Sequence, residues 1–338
     1  MVSFDIASAC DPRLLQDLGD GLGPLPPGTA VGVALSAGPD SAMLALHAAC
    51  AARDRGWAIH CFHIHHGLQA GADAWLAQAH RLAALLQVSC HSRRVRIDIR
   101  GRGVEAAARE TRYEALAELA SLAGVRHVLL AHHLDDQAET VLLRLLRGAG
   151  PEGLSAMAPV VQRDGLAYHR PWLDEPRSRI LACAERFALI TGWRPVRDPS
   201  NGDVRYARGT VRTQLAPLLD ARWPAWRRTL ARHARQAREL ASWHAEASAR
   251  DWTALDPDAD DRSFSLAAWR ALPAVRQGLL LRYWLRQLGL RMPTDARLQS
   301  WLRQLRGVHA LGHDRNVRLR HGDVWIVVQR GRVRIVDA

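Results

Sequence analysis

Short apolar runs alternate with longer stretches of helical periodicity through the first 150 residues. "TAVGVAL" (29–35) is almost continuously apolar and predicts a strand buried on both faces. "WAIHCFHIH" (57–65), "SCHSRRVRI" (89–97) and "HVLLAHH" (127–133) predict three further strands. Helical patterns cover 39–54, 72–87, 103–124 and 134–148, the last two closed by Gly124 and Gly148, and a short helix over 12–20 leads the series. Strands spaced by helices predict an α/β fold: a doubly wound, mostly parallel, Rossmann-like sheet covered on both faces.

The pattern changes further on. Residues 150–200 are rich in Gly and Pro and contain one more helical stretch. From 211 to 250 the chain is helical and strongly basic, "DPDADD" (256–261) is an acidic linker, and 266–307 reads as two or three helices. The tail "NVRLRHGDVWIVVQRGRVRIVDA" alternates apolar and polar positions around two turns, which predicts a small β-meander. Three regions are expected: a catalytic domain over 1–215, a basic helical connector over 216–255, and a C-terminal α+β module over 256–338 that binds nucleic acid.

Composition narrows the chemistry. All 46 basic residues are arginines, and the net charge is +12. Without lysine the chain forms no Schiff base, carries no lysyl-adenylate and has no Walker A lysine. The positive excess favours a polyanionic partner, nucleic acid first. The five cysteines, Cys10, Cys50, Cys61, Cys90 and Cys183, contain no C-x-x-C pair and are expected as buried free thiols. No apolar run approaches the roughly 18 residues of a membrane span, and the start of the chain lacks the order of a secretory signal, so a cytoplasmic location is expected.

"LSAGPDS" follows the first strand and opens the first long helix. Small residues let backbone approach a ligand, and a helix N-terminus offers unpaired N–H groups to an anion. Pro39 suits the first helical turn, and Ser36 and Ser41 add hydroxyls. A plain capped turn would use the same residues, but position favours a ligand, since doubly wound sheets bind theirs at strand C-termini. "HIHHGL" ends the second strand with His63, His65 and His66, expected to line a nucleotide pocket rather than bind a metal. "HHLDDQAET" clusters Asp135, Asp136 and Glu139 at a helix start, either as capping groups or as a magnesium site. Glu105, Arg109 and Arg112 share a helix face, as a surface stripe or as a phosphate clamp.

"SAGPDS" resembles the S-G-G-x-D-S pyrophosphate loop of the N-type ATP pyrophosphatases, with Ala37 in place of a glycine. If that position needs a positive φ, Ala37 costs about 1 kcal/mol or more; if it needs only a small side chain, Ala37 is harmless. Together with "HIHHGL…ADAW", "GVEAAARETRYEAL", "HHLDDQAETVLLRLLRGAGPEGLSAM" and "RPWL", the loop resembles the tRNA(Ile)-lysidine synthetase family of the PP-loop superfamily, strongly over residues 28–220. A second departure is Gly209, after Arg208, where members commonly carry asparagine. The chain also ends after one small C-terminal module, whereas longer members carry two.

The resemblance implies a ligase that uses ATP to adenylate the wobble cytidine of a CAU-anticodon tRNA(Ile) and then joins free L-lysine to its carbon 2, forming lysidine. It implies ATP and Mg²⁺ as cofactors and a possible homodimer. Carried over, Ser36, Ala37, Gly38, Pro39, Asp40, Ser41, His63 and His65 would bind ATP. Asp40 and Asp136 would hold the metal. Asp40, Asp136, Glu139, Arg109 and Arg112 would be catalytic, and Arg147, Arg208, Arg227, Arg228 and Arg235 would contact tRNA. The alternatives are a tRNA thiolase of the same superfamily, which would be expected to use paired cysteines, and a non-catalytic tRNA-binding protein.

Overall fold

The computed structural model describes residues 5–67, 71–96, 104–198, 202–260, 262–308 and 317–337, except for the side chains of 104–106. The side chain of Glu105, and Ile97 at the end of the third expected strand, therefore lie outside the described residues. The chain forms two compact units, Met1–Gln236 and Ala237–Ala338.

A 3-10 turn at Ile6–Ala9 leads into α1 (Pro12–Leu22), which Asp11 caps by accepting from the N–H groups of Arg13 and Leu14. Then follow β1 (Ala30–Ala34), α2 (Pro39–Arg55), β2 (Ala58–His65), α3 (Ala72–Leu86), β3 (Ser89–Arg94), α4 (Val104–Leu122), β4 (His127–Leu129) and α5 (Leu134–Leu146). A short α6 (Pro151–Leu154) precedes a hairpin, β5 (Val160–Arg163) and β6 (Leu166–His169), and then α7 (Arg177–Thr191). The sheet order is β3-β2-β1-β4-β6-β5, parallel throughout except where β5 meets β6. The chain winds outward from β1 to β3, then returns to place β4 on the other side of β1. That reversal opens a crevice at the C-terminal ends of β1 and β4.

Strand periodicity divides the core between the two faces. Val31 and Val33 pack with Leu44, Leu82, Trp172, Ile180 and Phe187, whereas Ala34, Phe62 and Val128 pack with Leu116, Leu119 and Tyr168. Gly32 is required on the second face, because a Cβ there would lie 2.5 Å from the Phe62 ring.

On the first face His47 is fully buried; its Nδ1 bonds the Met43 carbonyl at 2.7 Å, and its Nε2 accepts the Asp11 N–H at 3.0 Å. Burial pushes its pKa down to about 4. The neutral form is therefore favoured by folding, and the linked stability is present above pH 6.5 and lost as pH falls through about 4. Thermal melts from pH 7 down to pH 4 are expected to show this loss, and replacing His47 should flatten it.

The β5–β6 hairpin was not expected in the Gly- and Pro-rich stretch, and its signal is Asp164-Gly165. Both have positive φ, 53° and 75°, and Arg163 pairs with Leu166, so this is a two-residue primed turn. Beyond α7 come α8 (Ala207–Thr210), a π-helical turn (Val211–Leu215), α9 (Ala216–Arg222) and α10 (Trp226–Thr253). The stretch expected as a connector is divided after Gln236. Its first part belongs to the first unit because Ala216 and Trp226 pack on Ala138 of α5.

The second unit holds β7 (Ser263–Ser265), α11 (Leu266–Ala271), α12 (Ala274–Gln287), α13 (Asp295–Gly307), β8 (Arg318–His321), β9 (Val324–Gln329) and β10 (Arg332–Asp337). The antiparallel sheet order is β7-β10-β9-β8, and the core gathers Phe264, Trp269, Trp284 and Trp301. β8–β10 are the expected meander; β7, three residues long, is too short to show a period.

Candidate active site

The first wall of the crevice is the turn between β1 and α2. Gly38 caps α2 in an extended conformation and Pro39 fills the first helical position. Ser36 Oγ and Ser41 Oγ lie 2.9 Å apart, the Ser36 N–H donates to Ser41 Oγ at 3.1 Å, and the Gly38 N–H donates to Ser36 Oγ at 3.3 Å. The hydroxyls thus brace a ring of small residues at a helix N-terminus. Ala37 has φ 63° and is fully buried, and its carbonyl accepts the Val196 N–H. The position is left-handed, the costlier of the two cases for alanine. Ala37→Gly is expected to leave stability within about 0.5 kcal/mol of the parent, because relief of left-handed strain offsets the lost methyl burial and glycine's entropy. Ala42→Gly, equally buried in α2, is expected to cost about 2 kcal/mol. Denaturant unfolding of both variants checks the contrast.

The second wall is the start of α5. His133 and Asp136 form a reciprocal cap: the Asp136 N–H donates to His133 Nδ1, and the His133 N–H donates to Asp136 Oδ2, each at 3.3 Å. Because Nδ1 accepts, Nε2 carries the proton in the neutral ring. Nε2 faces both Asp136 Oδ2 at 3.3 Å and Asp40 Oδ1 at 3.8 Å. One imidazole nitrogen therefore stands between carboxylates from the two walls.

Three arginines close this arrangement. Arg177, at the start of α7, binds Asp40 with both Nε (3.1 Å) and Nη2 (3.2 Å), and its backbone N–H donates to Asp135. Arg212 reaches Asp136 Oδ1 at 3.0 Å and Glu139 Oε1 at 2.7 Å, and Arg208 reaches Glu139 Oε2 at 2.8 Å. Burial raises the Asp136 carboxyl, but the neighbouring His133, His132, Arg208 and Arg212 outweigh it and hold the group below its ordinary range. Arg208 lies in α8 and Arg212 in the π turn that follows it, and both reach the start of α5 because the segment is continuously helical.

Gly209 between them is a packing requirement. A Cβ there would lie 2.0 Å from the Asp203 carbonyl oxygen. Gly209→Ala is expected to cost about 1–3 kcal/mol and to weaken nucleotide binding by displacing both arginines, checked by unfolding and by calorimetry with ATP.

The walls enclose a cavity of about 830 Å³. Ser36, Gly38, Pro39, Asp40, His63, His65, His66, Trp75, Arg112, His132, His133 and Asp136 border it, with Arg177, Arg197, Arg208 and Arg212, and Ser41 borders an adjoining lobe. His63 is fixed by the Leu35 carbonyl at 2.9 Å and His65 by Asp73 at 3.2 Å. His66 Nδ1 and His132 Nδ1 are buried without a partner among the described residues. Burial pushes His66 down to about 4 and His132 down to about 3, so both are neutral near pH 7. Arg112 has no carboxylate partner among the described residues. Burial and the neighbouring Arg109 and Arg170 hold its pKa down. A half-buried cation at a cavity wall, with no counter-ion among the described residues, is suited to an anionic ligand.

Not every expected residue reaches the cavity. Ala37 lies behind the loop surface, and Glu139 lies behind the wall with an oxygen on each of Arg208 and Arg212. Arg109 is absent from the lining and stacks over Tyr113 at 5.5 Å. Arg147, Arg228 and Arg235 are exposed, whereas Arg227 is tied to Asp135 at 2.7 Å and to Asp220. His132, His133, Arg177 and Arg212 were not expected. The i, i+4 spacing of Arg208 and Arg212 could have revealed Arg212. Nothing local marks Arg177, whose partner is 137 positions away.

Among the described residues, no group of three or more His, Cys, Asp or Glu side chains is arranged to hold a metal ion. The residues fit Mg²⁺ in a different way. Asp40 and Asp136 flank His133 Nε2 from opposite walls of the cavity, and magnesium is usually held by one or two carboxylates together with substrate phosphates, so these two would be its protein ligands.

The switch-point crevice and its small-residue loop define a PP-loop nucleotide-binding protein. Residues 13–219 match the family model described as PP-loop domain, and residues 264–334 match the one described as TilS substrate binding domain. The U34-tRNA thiolase NcsA from Methanococcus maripaludis, solved with its 4Fe-4S cluster, shares the fold at TM-score 0.56 and 14% identity, over 66% of this chain and 77% of that one. A tRNA(Ile)-lysidine synthase of Bordetella bronchiseptica is 53% identical over 98% of this chain and 97% of its own length. One of Ralstonia nicotianae is 45% identical over 88% of this chain and 64% of its own. The chain belongs to the tRNA(Ile)-lysidine synthase family. No helix among the described residues is long and apolar enough to cross a membrane.

Proposed function

We propose that this chain consumes ATP to join free L-lysine to carbon 2 of the wobble cytidine in a CAU-anticodon tRNA(Ile). The observation that carries this reading is the meeting of the β1 loop and the His133–Asp136 cap across one switch-point crevice. ATP phosphates lie at the α2 N-terminus, among the Ser36, Gly38 and Ser41 groups, with Arg112 facing them. Asp40 and Asp136 would hold Mg²⁺, which when bound would neutralise phosphate charge. The cytidine O2 attacks the α-phosphorus; an O–P bond forms and pyrophosphate leaves. The lysine ε-amine, deprotonated, then attacks carbon 2; a C–N bond forms and AMP leaves with the oxygen. Both steps are displacements, so an enzyme without lysine loses nothing. What the protein supplies is orientation and fixed charge.

Arg208 and Arg212 hold Asp136 and Glu139 in place, and Arg227 holds Asp135, so their action on tRNA is indirect. The exposed Arg147, Arg228 and Arg235 contact tRNA phosphates. The reading carries with it a cytoplasmic location and a homodimer, the latter checked by light scattering. Against thiolation, no cysteine borders the cavity among the described residues. The test is incubation with ATP, labelled lysine and CAU-anticodon tRNA. Label is expected in the RNA, with one AMP released per lysine. Label-free RNA with intact ATP would sink the proposal.

A further inference from the structure

The first unit carries a thiol pair that the site does not use. Cys10 follows the 3-10 turn at Ile6–Ala9, and Cys50 lies in α2, three turns beyond the nucleotide loop. Their sulfurs are 3.4 Å apart, 40 residues apart in sequence, and both residues are half-buried rather than sealed in the core as their sequence suggested. A disulfide spans about 2.05 Å, so bond formation needs the sulfurs to close by roughly 1.4 Å.

The backbone around the pair is pinned. The Asp11 N–H donates to His47 Nε2 on α2, one turn before Cys50. Arg186 Nη2 donates to the Ala9 carbonyl and to Cys183 Sγ, each at 3.2 Å. Ala9 itself is fully buried. The segment bearing Cys10 is thus tied to α2 and α7 on both sides of the sulfur.

We propose that Cys10 and Cys50 are a reversible redox modification site whose co-reactant is a low-molecular-weight disulfide of the glutathione class. The Cys50 thiolate attacks that disulfide, forming a mixed disulfide and releasing one small thiolate, which takes up a proton. Cys10 loses its proton and attacks the Cys50 sulfur, forming the Cys10–Cys50 bond and releasing the second small thiol. Two electrons pass from the pair to the small disulfide, which becomes two thiols.

The order of attack follows from the contacts. The Cys10 S–H donates to Cys50, which lowers the Cys50 thiol against its burial, and Arg53 adds to the effect. The same contact and burial raise Cys10. Cys61 and Cys90 are register partners on β2 and β3, but burial raises both thiols, which disfavours their reaction. The new bond closes a ring around α1, β1 and the loop at 36–41, joining the N-terminal turn to the helix that carries Asp40.

The test uses the full chain in glutathione buffers of increasing oxidised fraction, quenched with acid, alkylated and mapped by mass spectrometry. The expected product is a Cys10–Cys50 cross-link that dithiothreitol reverses and that appears while Cys90 still alkylates, with a melting temperature several degrees higher than the reduced chain. Cys10→Ser is expected to stop at a glutathione adduct on Cys50, rising from a trace to nearly stoichiometric. Full alkylation of both cysteines after oxidation, or a cross-link joining Cys61 to Cys90 or Cys10 to Cys183, would overturn the proposal. If Cys10→Ser melts far below the parent in reductant, mapping of the unaltered chain alone decides.

Discussion

Asp136→Asn is expected to lower lysine-dependent AMP release by at least about 100-fold while leaving the protein folded. The carboxylate has two separable jobs. As an acceptor it caps the His133 N–H, and an amide oxygen can do the same. As a charge it faces Arg212 and the His133 ring and, on the reading above, magnesium. Asparagine keeps the first job and loses the second. Asp136→Ala loses both, leaving Glu139 as the carboxylate shared by Arg212 and Arg208. Breaking a buried pair on one side costs about 3–5 kcal/mol, so the alanine variant should melt well below the asparagine one. AMP release with tRNA, read beside thermal melts, separates the two effects. Full activity in Asp136→Asn would remove Asp136 from the chemistry.

The second large effect is expected at Arg112, with stability and activity moving in opposite directions. Arg112 is half-buried, feels the repulsion of Arg109 and Arg170, and has no carboxylate partner among the described residues. Without a ligand it is a cost to the fold, both by desolvation and by repulsion. Arg112→Met keeps much of the apolar stem and removes the charge, so the melting temperature should hold or rise. A charge-assisted contact to phosphate contributes about 1.5–3 kcal/mol, and kcat/KM for ATP should fall roughly 10- to 150-fold. A melting temperature that drops while ATP kinetics stay unchanged would make Arg112 a structural residue. Strain of this kind is expected where a site is complete only with its ligand.

Ala37 and Gly209, the two departures from the family pattern, have opposite accounts. Ala37 occupies a left-handed position at a cost, with its methyl group buried. Gly209 faces the Asp203 carbonyl, where no side chain fits. Neither disturbs the contacts around it: the serines brace the loop, and Arg208 and Arg212 reach their carboxylates.

The periodicities alone determined β1 to β4, the helices between them and the C-terminal meander, because burial on one face or two imposes a repeat that local sequence must display. The small-residue loop after β1 was legible for the same reason: a helix start beside a close-approaching ligand restricts residue type over six adjacent positions. Tertiary structure alone decided which distant groups meet. The pairing of Arg177 with Asp40, the two carboxylates on His133 Nε2, the withdrawal of Glu139 and Arg109 from the cavity, and the contact of Cys10 with Cys50 all join elements far apart in sequence. Such contacts leave no local pattern, because an arginine facing a carboxylate across a sheet and one facing water obey the same sequence rules. Only the winding of β4 back beside β1 brings those charges into one crevice.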